Sequence, residues 1–111
     1  AFTESWNGSA WTEVGDMNIG RMSLFGTGAT ATAAIAISGE TTPPATLKSE
    51  VELWNGTSWS EDTNIPTATK VGASGGTSSS AFTTGGQTPS VVATTFEWTG
   101  AGPAVVTFTD S

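Results

Sequence analysis

The feature that most constrains this chain is a short motif that occurs twice, as S-W-N-G-S-A-W at 5–11 and as L-W-N-G-T-S-W at 53–59. Trp6 and Trp54 lie 48 positions apart, and Trp54 and Trp98 lie 44 apart. Three further landmarks recur at a spacing of 46 or 47: Asn18-Ile19 with Asn64-Ile65, Ser38-Gly39-Glu40 with Gly85-Gly86-Gln87, and Thr42-Pro43 with Thr88-Pro89. Such agreement indicates an internal repeat.

Each repeat contains four short runs rich in β-branched and aromatic residues, bounded by Gly, Pro, Asn or Asp, as is typical of strands. No segment has the 3.6-residue apolar stripe of a helix. The predicted strands are 1–8 and 9–16, then 23–30, 33–40, 49–56 and 58–63, then 71–78, 80–87, 93–100 and 104–111.

Four-stranded antiparallel units with a period near 45 residues are typical of β-propeller blades. We therefore expect an all-β propeller segment of about two and a half blades. Residues 1–16 supply the last two strands of a partial blade, and 17–63 and 64–111 each form a complete blade.

The repeated motif has a structural interpretation as a hairpin. Asn-Gly favours a two-residue type I′ turn, so Asn7-Gly8 and Asn55-Gly56 are predicted to join the third and fourth strands of a blade. Both sites also match the N-glycosylation sequence, but the turn by itself accounts for the Asn-Gly pair. The tryptophans are predicted to supply the main bulk of a thin core; they are Trp6, Trp11, Trp54, Trp59 and Trp98.

Composition excludes several functions. The net charge is −7 with only Arg21, Lys48 and Lys70 as bases, which argues against nucleic-acid and anionic-membrane partners. The chain has no Cys, His or Tyr, so disulfides, thiolate or imidazole metal sites and histidine base catalysis are excluded within it. We expect no catalytic residues, no metal and no cofactor.

Acidic residues offer two weaker hypotheses. Glu50 and Glu52 share a predicted strand face and could act as a glycosidase pair, although solvated surface acids are the favoured interpretation. Asp16 and Asn18 recur as Asp62 and Asn64, but two oxygen ligands in each copy form an incomplete calcium shell. These residues are better explained as turn formers between blades.

The chain resembles the kelch repeat, in which Pro-Arg precedes the first strand, diglycine ends the second, aromatic-Asp ends the third and Trp opens the fourth. In the middle copy Gly20-Arg21 replaces Pro-Arg, Ser38-Gly39 replaces diglycine and Trp54-Asn55 replaces aromatic-Asp. The stretches that carry the resemblance are Asn18-Ile19-Gly20-Arg21, Ile37-Ser38-Gly39, Val51-Glu52-Leu53-Trp54-Asn55 and Trp59 in the middle copy, followed by Ile65-Pro66, Gly85-Gly86 and Trp98 in the last copy. The Thr/Ser/Gly-rich style also looks like the kelch-like repeats of bacteriophage structural and tail proteins.

The resemblance implies a non-enzymatic structural or recognition module in a virion or an extracellular protein. Kelch-type propellers close with more blades than this chain holds, so we expect other blades of the same or neighbouring chains as partners. A self-assembling ring of short chains is the alternative. Loops 41–48 and 88–92 are the candidate recognition elements for a cell-surface glycan or protein.

A second hypothesis is a lectin-like propeller in which an exposed tryptophan, such as Trp54 or Trp98, stacks on sugar. The sequence contains no recognisable signal peptide and no apolar run long enough to span a membrane.

Overall fold

A computed structural model describes residues 1–99 and 103–106. These residues contain twelve strands and no helix, which confirms the all-β prediction. The strands are β1 (Thr3–Trp6), β2 (Trp11–Val14), β3 (Phe25–Thr30), β4 (Ala33–Ile37), β5 (Glu40–Thr41), β6 (Thr46–Leu47), β7 (Val51–Trp54), β8 (Trp59–Asp62), β9 (Ala73–Thr77), β10 (Ser80–Thr84), β11 (Thr95–Trp98) and β12 (Pro103–Val106).

The strands form three main antiparallel units. β1 and β2 form an N-terminal hairpin, β3-β4-β7-β8 form a central sheet, and β9-β10-β11-β12 form a C-terminal sheet, each in meander order. A small ribbon, β5–β6, pairs the two ends of the predicted loop 41–48 and begins one residue before it, at Glu40. The predicted strand 104–111 corresponds to β12 over 103–106, and its remainder lies outside the described residues.

The main core lies between the central and C-terminal sheets. Ile35 and Ile37 on β4 face this core because alternate residues of a strand share one face. Ala36, on the opposite face, is also buried, so both sides of the central sheet are covered. The core cluster comprises Phe25, Ile35, Ile37, Val51, Ile65, Ala81, Phe96 and Trp98.

The first strands of the two sheets, β3 and β9, lie side by side. Thr27 Oγ1 donates to the Gly76 carbonyl at 2.9 Å, and Ser74 Oγ donates to the Gly26 carbonyl at 3.0 Å. A Cβ at Gly72 would lie 2.5 Å from the Phe25 ring, so only glycine permits this approach. The Gly/Ser/Thr composition of these strands therefore allows two backbones to pack closely.

The second strand of each sheet ends in the same backbone conformation. Ser38 and Gly39 have φ values of 60° and 98°, and Gly85 and Gly86 have 71° and 104°. Gly39 is also crowded, because an added Cβ would lie 2.7 Å from the Met22 carbonyl oxygen and 2.9 Å from Leu24 Cβ.

Gly39→Ala is accordingly expected to destabilise the chain more than Gly8→Ala. Gly8 has φ 100° but open space around its missing Cβ, so its substitution carries only the left-handed backbone cost of about 1–2 kcal/mol. Gly39→Ala adds a steric cost of about 1–3 kcal/mol. Urea unfolding of both variants measures the difference, and equal losses of stability would contradict the crowding at Gly39.

Candidate functional site

The two W-N-G-x-x-W motifs form nearly identical hairpins. Trp6 pairs with Trp11 and Trp54 pairs with Trp59 across their strands. In both hairpins the ring centroids lie 5.4 Å apart, with interplanar angles of 44° and 45°. The repeat thus conserves the side-chain arrangement as well as the sequence.

Each hairpin turn has four residues rather than the predicted two. Asn55 Oδ1 accepts from the amides of Thr57 at 2.8 Å and Ser58 at 2.9 Å, and Asn7 does the same one repeat earlier. Gly56 has φ 95°, whereas Asn55 is not in the positive-φ region, so the type I′ prediction is wrong. The Asn side-chain oxygen accepts these two hydrogen bonds and so forms an Asx turn within the four-residue loop.

Trp54 and Trp98 are interior residues. They are 7% and 2% exposed, and their indole N–H groups donate to the carbonyls of Ala31 and Ser78 at 3.0 and 3.2 Å. The expectation that Trp54 and Trp98 are exposed is therefore wrong. Packing explains the burial, because Trp98 belongs to the core between the two sheets and Trp54 lies against Gly15 at the end of the N-terminal hairpin.

A buried ion pair lies on the other face of the central sheet from the main core. Arg21 Nη2 lies 2.8 Å from Glu52 Oε2, and both side chains are 0% exposed. Arg21 Nη1 also donates to the carbonyls of Ser38 and Glu50, at 2.8 and 2.6 Å. Asn18 completes the site by donating its backbone amide and its side-chain amide to Glu52 Oε1 at 2.7 and 2.9 Å.

This cluster corrects the interpretation of Glu52 as a solvated surface acid. Glu50, its proposed glycosidase partner, lies partly exposed beside Lys48 at 3.7 Å and does not share the buried site. The sequence signal that could have predicted the burial of Glu52 is the alternation along β7. Glu52 lies two residues before Trp54, so the two side chains lie on the same face of the sheet. Asn18, considered as a calcium ligand, binds this carboxylate instead.

The C-terminal sheet replaces both members of the ion pair. The bridges Met22–Glu40 and Lys70–Gln87 are equivalent, which places Thr69 where the central sheet has Arg21. Trp98 occupies the position of Trp54, so Phe96, two residues before Trp98, occupies the position that Glu52 has in the central sheet. A small cavity of about 60 Å³ lies between Thr69 and Phe96. One sheet thus uses paired charges where the other uses a threonine and an aromatic ring.

The two candidate recognition loops have anchored bases and exposed tips. The base of 41–48 is held by β5–β6 and by the Lys48 amide, which donates to Gly39 at 2.8 Å. The 88–92 loop is closed by the Val92 amide, which donates to Gly86 at 2.9 Å. Residues 42–46 are exposed, and Val91 is 80% exposed.

The described part of the chain contains no group of three or more His, Cys, Asp or Glu side chains placed to hold a metal ion. Within residues 1–99 and 103–106 there is also no helix of the length and hydrophobicity needed to cross a membrane. Comparison with protein-family models and with curated proteins finds no match to this chain.

Proposed function

We propose that this chain is a segment of a kelch-like β-propeller and serves as a non-enzymatic structural and recognition module of a larger virion or extracellular protein. The observation that carries the proposal is the side-by-side packing of β3 and β9, each the first strand of a four-stranded meander. In a propeller the first strand of every blade lies next to the axis, beside the first strand of the neighbouring blade.

The covering of the central sheet supports the same arrangement. Its Ile35 and Ile37 face packs on the C-terminal sheet, while the N-terminal hairpin reaches its opposite face, where Trp59 Nε1 donates to Thr3 Oγ1 at 3.0 Å. Successive units thus stack face to face in chain order, as successive blades do.

The use of charge supports a non-enzymatic role. All three basic residues of the chain are committed to ion pairs: Arg21 with Glu52, Lys48 with Glu50, and Lys70 with Glu40. The Lys70–Glu40 pair, at 2.8 Å, joins the start of the C-terminal sheet to the base of the 41–48 loop. These groups stabilise the scaffold rather than facing a substrate.

Electron microscopy of a polypeptide that contains this segment within its complete repeat array tests the proposal. The expected image is a closed ring whose channel is lined by β3, β9 and their equivalents. An antibody fragment raised against residues 42–45 should bind at one rim of the ring. An open array of blades, or a fragment bound within the ring plane, would contradict the proposal.

Val91→Asp tests the recognition role of the 88–92 loop. Because the side chain is 80% exposed, the free energy of unfolding should change by less than about 0.5 kcal/mol. Attachment of the assembled protein to its target surface, measured by surface plasmon resonance, should fall, since a charge would replace an apolar contact. Thr12→Asp, on the exposed outer strand of the N-terminal hairpin, serves as the matched control. Unchanged attachment in Val91→Asp would remove this loop from the recognition surface.

A further inference from the structure

The N-terminal hairpin repeats β7–β8 position by position but lacks its covering. The register places Glu4, Trp6, Glu13 and Trp11 where the central sheet has Glu52, Trp54, Glu61 and Trp59. Trp54 is 7% exposed, whereas Trp6 is 48% and Trp11 is 64% exposed. Glu52 is fully buried, whereas Glu4 is exposed. Two congruent hairpins therefore differ in what lies against them.

The central sheet shows what covers such a hairpin. β4 pairs with β7, with Ala34 opposite Trp54 and Ala36 opposite Glu52. The turn before β4 supplies the Ala31 carbonyl that accepts the indole N–H of Trp54. The segment before β3 supplies Arg21, whose guanidinium binds the Glu52 carboxylate. The N-terminal hairpin also lies against this face, because Gly15 is close to the Trp54 ring and Thr3 accepts from Trp59. The strand pair and the arginine are the part of the covering that the same sheet and the segment before it supply.

The charges of the N-terminal hairpin are complementary to such an arginine. Glu4 and Glu13 lie directly opposite each other, and like charges in this position destabilise a strand pair. The equivalent acids, Glu52 and Glu61, are also opposite, and there the Arg21 guanidinium neutralises the buried member. A guanidinium on Glu4 would relieve the same repulsion. The edge of β1 also presents backbone groups that a further strand could pair.

We propose that β1, Glu4 and Trp6 form a docking site for a two-stranded, alanine- and glycine-rich β segment that carries an arginine, equivalent to residues 18–37 of this chain. The segment adds its second strand to β1, places an alanine against the Trp6 ring and a carbonyl on its indole N–H, and sets its arginine on Glu4. This inference rests on the proposed function, because the occupant is the inner strand pair of a propeller blade.

A synthetic peptide of residues 16–41 is the probe. Added to the 111-residue chain, it should bind saturably and lower acrylamide quenching of tryptophan fluorescence, and this change should vanish in a Trp6→Phe, Trp11→Phe variant. Glu4→Gln in the chain, or Arg21→Gln in the peptide, should each weaken binding at least about tenfold, because either leaves a buried charge unpaired. The two substitutions together should weaken peptide binding little more than either one alone. Glu13→Gln is the matched control, since its counterpart Glu61 is exposed and has no arginine within the described residues.

Three results would overturn the inference. They are no saturable binding, binding that is insensitive to both Glu4→Gln and Arg21→Gln, and sedimentation of the chain alone as a dimer in which Trp6 and Trp11 are already protected, which would make a second copy the occupant. A closed ring in electron microscopy together with a failed peptide titration would leave the propeller proposal standing and reject only this docking mode. An open array of blades together with successful peptide binding would reject the propeller proposal and leave this docking mode standing.

Discussion

Glu52→Gln is expected to lower the free energy of unfolding by about 3–5 kcal/mol. The change leaves the Arg21 guanidinium without a counter-charge in a site where both side chains are 0% exposed. It also weakens the acceptor for two amide groups of Asn18. Because small domains have only about 5–15 kcal/mol of total stability, the variant should be close to unfolding at room temperature. Urea denaturation at neutral pH and low salt measures the loss.

Two further variants make this result interpretable. Glu61→Gln changes the acid directly opposite Glu52, which is exposed, and should alter stability by less than about 0.5 kcal/mol. Arg21→Thr with Glu52→Phe installs the pair that the C-terminal sheet already uses, Thr69 and Phe96. The double variant should be more stable than Glu52→Gln, because no unpaired charge remains. A double variant no more stable than Glu52→Gln would contradict the attribution of the loss to an unpaired buried charge.

Trp54→Ala is expected to lower the free energy of unfolding by about 3–5 kcal/mol, whereas Trp6→Ala should lower it by no more than about 1 kcal/mol. The two residues hold the same position in congruent hairpins, and each stacks on a partner tryptophan at 5.4 Å. Only Trp54 is enclosed, by β4, by the Ala31 carbonyl and by the end of the N-terminal hairpin at Gly15. The difference therefore measures what the elements around Trp54 add to the stability of the hairpin itself.

The same urea titrations measure both tryptophan variants, and far-ultraviolet circular dichroism provides a probe that does not depend on the deleted fluorophore. Trp54→Phe serves as the conservative control and should retain most of the stability, because a smaller ring still fills part of the site. Similar losses at Trp6 and Trp54 would contradict the difference in burial between the two hairpins.

Strand positions were predictable where the sequence carries a periodic signal. The repeat of Trp6, Trp54 and Trp98 located the third strands, and the alternation of Ala and Ile located β4. The Asn-Gly pairs located the hairpins, but the turn type was wrong. Turn preference describes the backbone alone, whereas Asn55 Oδ1 adds two hydrogen bonds that favour a longer loop.

The buried charges were harder to predict, because composition gives the average behaviour of an acid and not its position. Glutamate is usually a surface residue, but the register of β7 places Glu52 in the interior. Its carboxylate is stable there because Arg21 and Asn18 donate hydrogen bonds to it. The exposure of Trp6 and Trp11 was likewise not readable from their motif, since Trp54 and Trp59 share it. Burial depends on which strands lie beside a hairpin, and that information lies elsewhere in the chain.

The face-to-face packing of the two four-stranded sheets is tested most directly by nuclear Overhauser effects in the isotope-labelled chain. Gly72, directly before β9, is in close contact with the Phe25 ring on β3, so a strong effect between the Gly72 Hα protons and the Phe25 ring protons is expected. Gly75 and the Phe82 ring, in contact within the C-terminal sheet, give the positive control. If the control effect is observed while none joins Gly72 to Phe25, the sheets do not pack as adjacent blades.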